Sequence, residues 1–278
     1  EVFGKAIAIV PHIYLTLIEW ERSDFKLRLG TGIAYLKDDY DVLDNPNNNV
    51  IGSKINNISQ VRFGYHRMLS KNWQGNLGFG LSHYSNSSVR KPNLGINTIS
   101  AIAGIQYIPD PIEKSELILA IPDYNKKIRP HARAEMAFRE TTPPGGPTYL
   151  IYLLNLGVQK QISIKNKAAF GVEYEFNESV KDFIVQQEIF DENTNWEASR
   201  VQVYIYDEIL FNKVGLSGQL GYYVHAPVKP SSDYTFKLGL HYYILNHYQH
   251  NRQLYTAIFL KSHKSVADYL SFGVGYVY

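Results

Sequence analysis

The sequence of 278 residues contains no cysteine, which excludes disulfide scaffolds, thiol nucleophiles and zinc–thiolate sites. It also lacks any apolar run near the ~18 residues of a transmembrane helix, since stretches such as Tyr149–Leu154 are much shorter. The chain also lacks an excess of charge of either sign: it has 28 Lys and Arg and 26 Asp and Glu, for a net charge of +2. Because the basic residues are scattered along the chain, the sequence predicts no nucleic-acid surface.

Aromatic residues, by contrast, are abundant. The chain has 22 Tyr, 13 Phe and 3 Trp but only 2 Met, and its mean hydropathy is −0.25. This combination is typical of a transmembrane β-barrel, whose strands alternate lipid-facing and polar residues and whose aromatic residues collect at both membrane interfaces. Residues Glu1–Val10 show no signal peptide, which predicts a processed or truncated form.

Alternation with a period of two residues supports the same class along most of the chain. In Phe25–Tyr35 the odd positions are mostly apolar, and the even positions are small or charged. Ala168–Phe176, Val214–Val224 and Tyr234–Ile244 alternate in the same way. A half-buried sheet of a soluble protein also alternates, but it rarely supplies so many strands of about 9–11 residues. The sequence therefore predicts an all-β fold, a transmembrane antiparallel β-barrel of about 12–14 strands that forms a single domain over residues 1–278.

The individual strands and their connections set the predicted topology. About thirteen strands are predicted, near residues 5–17, 25–35, 55–68, 73–85, 97–107, 131–139, 149–162, 167–176, 199–211, 214–224, 234–245, 253–261 and 268–278. Bacterial barrels have even numbers, so either a strand precedes Glu1 or the count is wrong. The aromatic last strand predicts a periplasmic Tyr278, which puts the long segments outside: Leu36–Lys54, Asn86–Ile96, Glu140–Thr148 and Asn177–Ala198. Ile108–Pro130 would then be a long periplasmic segment, which breaks the rule.

Charged residues on the second face of the predicted strands have two alternative roles. They are Lys26, Arg28, Arg62, His66, Arg133, Glu135, Glu173, Glu175, Lys237 and His241. Such residues could line a pore, but the presence of both signs favours a salt-bridged plug of the lumen. A small-solute channel is therefore the weakest functional hypothesis.

One predicted hairpin carries residues suited to chemistry. The apolar face of its first strand, through Leu81, continues into His83 and Ser85 toward the outer rim. Asn97 lies on the same face of the next strand. A Ser hydroxyl beside an imidazole is the minimal activated nucleophile, and at this position its substrate would be an outer-leaflet lipid. Polar residues at a barrel rim are more often ordinary contacts with lipid headgroups, so the pattern alone is weak evidence for catalysis.

The segments His83–Asn86 and Pro92–Asn97 resemble the signature of the lipid A 3-O-deacylase family (PagL type, or acyloxyacyl hydrolase). Arg28–Tyr35 and Asn45–Ser53 look like a longer branch of the same family, so the resemblance covers about residues 1–110 well and the rest only by architecture. It implies an outer-membrane barrel that hydrolyses an ester-linked acyl chain of lipid A. It also implies a Ser nucleophile, a His base and an acidic residue that orients the His.

Position by position, the resemblance implies that Ser85 is the nucleophile, His83 the base and Asn86 an oxyanion donor. The sequence departs from the family at Asn97, which stands where an acidic residue is expected. A neutral amide can orient an imidazole, but it cannot stabilise the imidazolium by charge. Three carboxylates on predicted outer loops could replace that charge: Asp41, Asp44 and Glu140.

Two functions therefore compete. The first is an esterase that acts on lipid A of lipopolysaccharide in the outer membrane. The alternative is a catalytically lapsed barrel that serves as a structural subunit of an assembly with other outer-membrane proteins. No cofactor or metal is expected, because Asp38, Asp39 and Asp41 lack EF-hand spacing and because His247 and His250 have no further ligands nearby.

Overall fold

The computed structural model describes residues 2–109, 124–141, 143–190, 194–245, 252–264 and 266–278. These residues contain fourteen strands: β1 Ala6–Ile9, β2 His12–Glu19, β3 Ser23–Leu36, β4 Ile55–Met68, β5 Trp73–Ser85, β6 Ile96–Tyr107, β7 Arg129–Glu140, β8 Thr148–Ser163, β9 Asn166–Asn177, β10 Ser199–Phe211, β11 Val214–His225, β12 Tyr234–Tyr243, β13 Gln253–His263 and β14 Val266–Val277. They also contain two helices, α1 Glu178–Gln187 and α2 Thr194–Glu197. Within this part of the chain, neither helix is long and apolar enough to cross a membrane.

The chain divides into two compact units. The first consists of Glu1–Asn86 and Arg90–Leu119, and the second consists of Ser87–Val89 and Ala120–Tyr278. In the first unit β1, β3, β4, β5 and β6 follow one another in a sheet, and β2 also pairs with β3. In the second unit β7 to β14 pair in chain order and β14 returns to β7, which closes an eight-stranded antiparallel barrel. The all-β antiparallel prediction is confirmed, and the fourteen strands agree with the predicted number.

The closed barrel contains eight of these strands rather than all fourteen. Alternation along a strand reports which face is buried, whereas closure depends on the pairing of strands far apart in sequence. Here it depends on β14 and β7, which pair from Ser271 with Ala137 to Val277 with His131. Most of the unexplained segment Ile108–Pro130 lies outside the described residues. The single-domain organisation stays a prediction.

The predicted strand 5–17 is divided into β1 and β2 because Pro11 interrupts it. Proline has no N–H group to contribute to a strand ladder. Both pieces pair antiparallel with β3. At the break the backbone approaches Gly32 so closely that a Cβ atom there would lie 1.9 Å from the carbonyl oxygen of Ile9. Position 32 therefore requires glycine, and one predicted strand becomes two.

The segment Asn177–Ala198, predicted as an outer loop, contains α1 and α2. Asn177 caps α1, since its side-chain oxygen accepts a hydrogen bond at 3.0 Å from the backbone N–H two residues on. Glu178 places a negative charge in the first turn, where its interaction with the helix dipole stabilises the helix. Val180 and Ile184 lie one turn apart and are buried. Period-two alternation indicates strands and does not indicate this short helix, although the cap and the apolar pair of the helix are visible in the sequence.

The second unit alternates, as predicted, between an exposed apolar face and a buried polar face. Phe272 and Val274 are 51% and 57% exposed, whereas Glu173 and Lys237 are completely buried. Lys237 Nζ lies 3.0 Å from a carboxylate oxygen of Glu135 and 2.7 Å from one of Glu173. Opposite charges thus pair inside the barrel, as the salt-bridged plug predicts.

Candidate active site

A row of polar side chains crosses four adjacent strands of the first unit on one face. Thr31 of β3 pairs with Ser59 of β4. Ser59 in turn pairs with His83 of β5, and His83 pairs with Asn97 of β6. The neighbouring row on this face is apolar, made of Leu29, Val61, Leu81 and Ile99. In a membrane barrel such a change from apolar to polar side chains marks the interface with the lipid headgroups.

Cross-strand pairing brings the imidazole of His83 to the side chain of Asn97. Nδ1 of His83 lies 2.8 Å from Oδ1 of Asn97. Because an amide oxygen only accepts hydrogen bonds, Nδ1 carries the proton and donates it. Nε2 is then the unprotonated nitrogen when the imidazole is neutral. An imidazole held in this tautomer is suited to take a proton from a hydroxyl group.

Ser85 lies two residues beyond His83 on β5 and therefore on the same face of the sheet. It is only 4% exposed. In the described part of the chain its hydroxyl makes no hydrogen bond with His83, and residues two apart in a strand are separated by about 6.6 Å. The structure therefore brings His83 and Asn97 together and leaves Ser85 beside them on the same face. The catalytic roles of these three residues stay a prediction.

Asn57 and Ser59 are neighbours of the predicted site that were not identified from the sequence. Asn57 pairs with Ser85 across β4 and β5. Its amide nitrogen donates to Oγ1 of Thr31 at 3.0 Å, and its amide oxygen accepts from the hydroxyl of Ser59 at 3.0 Å. Both residues lie at alternate positions of β4 that continue to Val61, and therefore on the apolar face of that strand. However, the register between β3 and β4 depends on the long loop between them and cannot be derived from alternation alone.

Asn86, predicted as an oxyanion donor, holds two loops together. Its backbone N–H donates to Oδ1 of Asn93 at 2.9 Å. Its side-chain nitrogen donates to the hydroxyl of Ser53 at 3.0 Å. These bonds connect the end of β5 to the loop that follows it and to the segment before β4. The structure thus shows Asn86 as a loop anchor, and its role toward an oxyanion stays a prediction.

Two of the loop carboxylates that could replace the missing charge, those of Asp41 and Glu140, accept hydrogen bonds from backbone N–H groups. Oδ1 of Asp41 accepts the backbone N–H groups of Leu43 at 2.8 Å and of Asp44 at 3.0 Å. The hydrogen bond from Asp44, and then that from Leu43, lowers the pKa of the Asp41 carboxyl group. Glu140 accepts the backbone N–H of Gly145 at 2.6 Å. The polar group in contact with Nδ1 of His83 is the amide at position 97.

The acidic loop near Asp38 is closed by amide side chains. The side-chain nitrogen of Asn45 donates to the backbone carbonyl oxygen of Asp39 at 2.8 Å, and that of Asn48 donates to the backbone carbonyl oxygen of Asp38 at 3.2 Å. Among the residues that the structure describes, no group of three or more His, Asp or Glu is placed to hold a metal ion. The other metal candidates, His247 and His250, lie outside the described residues.

The absence of a side chain at Gly95 leaves the space that the imidazole of His83 occupies. Gly95 has φ +77°, and a Cβ atom on it would lie 2.6 Å from Cε1 of His83. We expect Gly95→Ala to displace the ring and to remove its Nδ1–H bond to Asn97. The measurement is the Nδ1–H resonance of His83 in ¹⁵N-histidine-labelled protein in micelles.

Gly145→Ala is the matched control, because Gly145 has φ +82° but nothing within 4 Å of an added Cβ. Both variants should lose about 1–2 kcal/mol of stability from the left-handed backbone. A His83 resonance that is unchanged in Gly95→Ala, or is lost equally in the control, would contradict the steric role of Gly95.

These features define a class of protein. Antiparallel strands present an exposed apolar face, ion pairs fill the closed barrel, and a polar row borders the apolar surface. The protein is an outer-membrane β-barrel.

Comparison with family models gives the particular family. Residues 11–106 match the lipid A 3-O-deacylase (PagL) model, and residues 125–278 match the C-terminal domain of acyloxyacyl hydrolase. The chain belongs to this family. The second match extends the relationship beyond residues 1–110, where the signature segments lie.

Solved structures give weaker likenesses. The toluene transporter TodX of Pseudomonas putida is 10% identical, with 98% of this chain and 86% of that chain covered and a TM-score of 0.25. The KdgM porin is 9% identical, with 99% and 98% covered and a TM-score of 0.22. A comparison with curated proteins finds no match. The fold assignment therefore depends on the strand pairing described above and not on these likenesses.

Proposed function

We propose that this protein is an esterase that removes an ester-linked acyl chain from lipid A in the outer leaflet. The observation that carries the proposal is the hydrogen bond between His83 and Asn97 at the polar margin of a lipid-facing surface. Ser85, on the same face, offers the hydroxyl group. Membership of the lipid A deacylase family supports the substrate class, which is the lipid A part of lipopolysaccharide.

In the proposed reaction, Oγ of Ser85 attacks the ester carbonyl and its proton passes to Nε2 of His83. The oxygen of Asn97 accepts the Nδ1–H throughout and so keeps the ring in the required tautomer. The imidazolium then protonates the leaving alcohol, and the acyl group remains on Ser85. A water molecule, deprotonated by His83, then attacks this ester; the bond between the acyl carbon and Oγ breaks, the imidazolium returns its proton to Ser85 and the fatty acid leaves. For the hydroxyl of Ser85 to reach Nε2, substrate binding must tighten the contact between the two side chains.

A carboxylate at position 97 is expected to raise the rate. The amide oxygen is neutral, whereas a carboxylate beside Nδ1 would stabilise the imidazolium. We expect Asn97→Glu to raise kcat at least about tenfold, since loss of the triad charge lowers kcat by about 10⁴ in serine proteases. The measurement is the release of hydroxy fatty acid from lipid A by the purified protein, followed by mass spectrometry.

Thr98→Glu is the matched control, because it adds the same charge to β6 on the opposite face. An equal gain in this control, or no gain with either Asn97→Glu or Asn97→Asp, would contradict the role given to position 97.

The second candidate function is a structural subunit whose catalytic site has lapsed. The neutral side chain of Asn97 favours it, as does the lack of a hydrogen bond between His83 and Ser85 in the described part of the chain. It predicts unchanged lipid A and a stoichiometric outer-membrane protein partner in mild detergent. Mass spectra of lipid A from cells with and without the protein separate the two, because only the esterase removes one hydroxyacyl mass.

A further inference from the structure

Two of the connections at the end of the first unit opposite the polar row are short. They are the turn between β2 and β3 and the turn between β4 and β5, whereas the loops beside His83 are long. Short turns are typical of the periplasmic side of a bacterial barrel. His83 lies eight positions beyond Gly75 on β5, which is about 26 Å along the strand. A tilted strand of that length crosses most of an apolar band of about 25 Å.

Two arginines lie at this periplasmic margin. Arg67 of β4 pairs with Ser23 of β3, and Arg22 directly precedes Ser23. Together with Trp20 and Tyr65, whose rings are arranged edge to face with centroids 6.2 Å apart, they line an open surface cavity of about 370 Å³. In the described part of the chain, neither guanidinium group has an ion-pair or hydrogen-bond partner, and no carboxylate lines the cavity. The nearby carboxylate of Asp24 instead contacts Lys26 and His66.

An apolar cavity continues from the same arginine toward the middle of the wall. It has a volume of about 520 Å³ and shares Tyr65 and Arg67 with the first cavity. Leu77 and Ala103, which pair across β5 and β6, form part of its floor. The small side chain of Ala103 and the absence of one at Gly75 make room there. A cationic cavity thus opens into an apolar one, in the direction of the bilayer centre.

We infer that this surface binds an anionic glycerophospholipid of the inner leaflet. The fork of donors on Arg22 and Arg67 fits phosphate oxygens, and arginine is well suited to such contacts. Trp20 and Tyr65 are amphipathic rings of the kind that occupy the headgroup level. One acyl chain lies in the cavity above Ala103. The site faces the leaflet opposite to lipid A, so it does not depend on the proposed esterase activity.

The experiment is native mass spectrometry of the detergent-solubilised protein titrated with phosphatidylglycerol. We expect Arg22→Gln/Arg67→Gln to weaken retention at least about tenfold, because charge-assisted hydrogen bonds to the phosphate are lost. Lys37→Gln/Lys71→Gln removes the same charge from exposed positions outside both cavities. It should change retention less than about twofold. Equal losses in the two variants would overturn the site.

Ala103→Phe tests the acyl part independently of the arginines. A phenyl ring fills the apolar cavity, so retention of long-chain phosphatidylglycerol should fall while that of the dihexanoyl form is unchanged. If the two lipids respond alike, the acyl chain does not lie there and the proposal fails. Displacement of the lipid by an equal concentration of inorganic phosphate would also overturn it, because the surface would then be an anion site and not a lipid site.

Discussion

Ser85→Ala is expected to abolish release of hydroxy fatty acid from lipid A while the β-sheet stays folded. The hydroxyl is the proposed nucleophile, and loss of the Ser or the His from such a catalytic unit lowers kcat by about 10⁶ in subtilisin. His83→Ala should cause a loss of similar size, and the double variant should be no worse than either single one, since the two residues act together. Deacylation by purified protein in detergent is the measurement.

The controls remove the same chemical groups from the other face of the sheet. Ser100 of β6 donates weakly to the carbonyl oxygen of Gly80 at 3.4 Å, and His66 of β4 lies 3.8 Å from Asp24. Ser100→Ala and His66→Ala should retain more than about half of the activity, since neither group reaches the polar row. Full activity in Ser85→Ala would refute the proposed nucleophile and leave the subunit function as the better explanation.

The sequence predicts the contact between His83 and Asn97 because both lie in one hairpin. Alternation from Leu81 places His83 on the exposed face, and short-range pairing of β5 with β6 places Asn97 opposite it. The position of Ser85 on the same face follows from the same period. Its distance from the imidazole does not, because side-chain rotamers and bound lipid decide that distance.

Features that depend on distant pairing could not be predicted in this way. Thr31 and Ser59 join the polar row across β3 and β4, whose connection is a long loop that does not fix the register. Closure of eight strands depends on β14 meeting β7, which begin more than 130 residues apart. The α1 helix differs for another reason: period-two alternation reports strands only, and Asn177 both ends β9 and caps the helix that follows it directly.

Lys237→Met is expected to lower the free energy of unfolding of the closed barrel by about 3–5 kcal/mol, because it leaves buried carboxylates without their main cation. Nζ of Lys237 lies 3.0 Å from both carboxylate oxygens of Glu135 and 2.7 Å from Oε2 of Glu173. All three side chains are fully buried. Lys229→Met, at an exposed loop position, should change the stability by less than about 0.5 kcal/mol. Urea-induced unfolding in detergent micelles measures both.

The double variant Lys237→Met/Glu173→Gln separates loss of charge balance from loss of packing. It removes one charge of each sign, and Glu135 keeps the guanidinium of Arg133, whose Nε lies 2.8 Å away. If the cost of Lys237→Met comes from unpaired buried charge, the double variant should regain more than about half of the lost stability. A double variant less stable than Lys237→Met would show instead that the methylene chain of Lys237 and the hydrogen bonds of Glu173 stabilise the barrel interior, and that charge pairing does not.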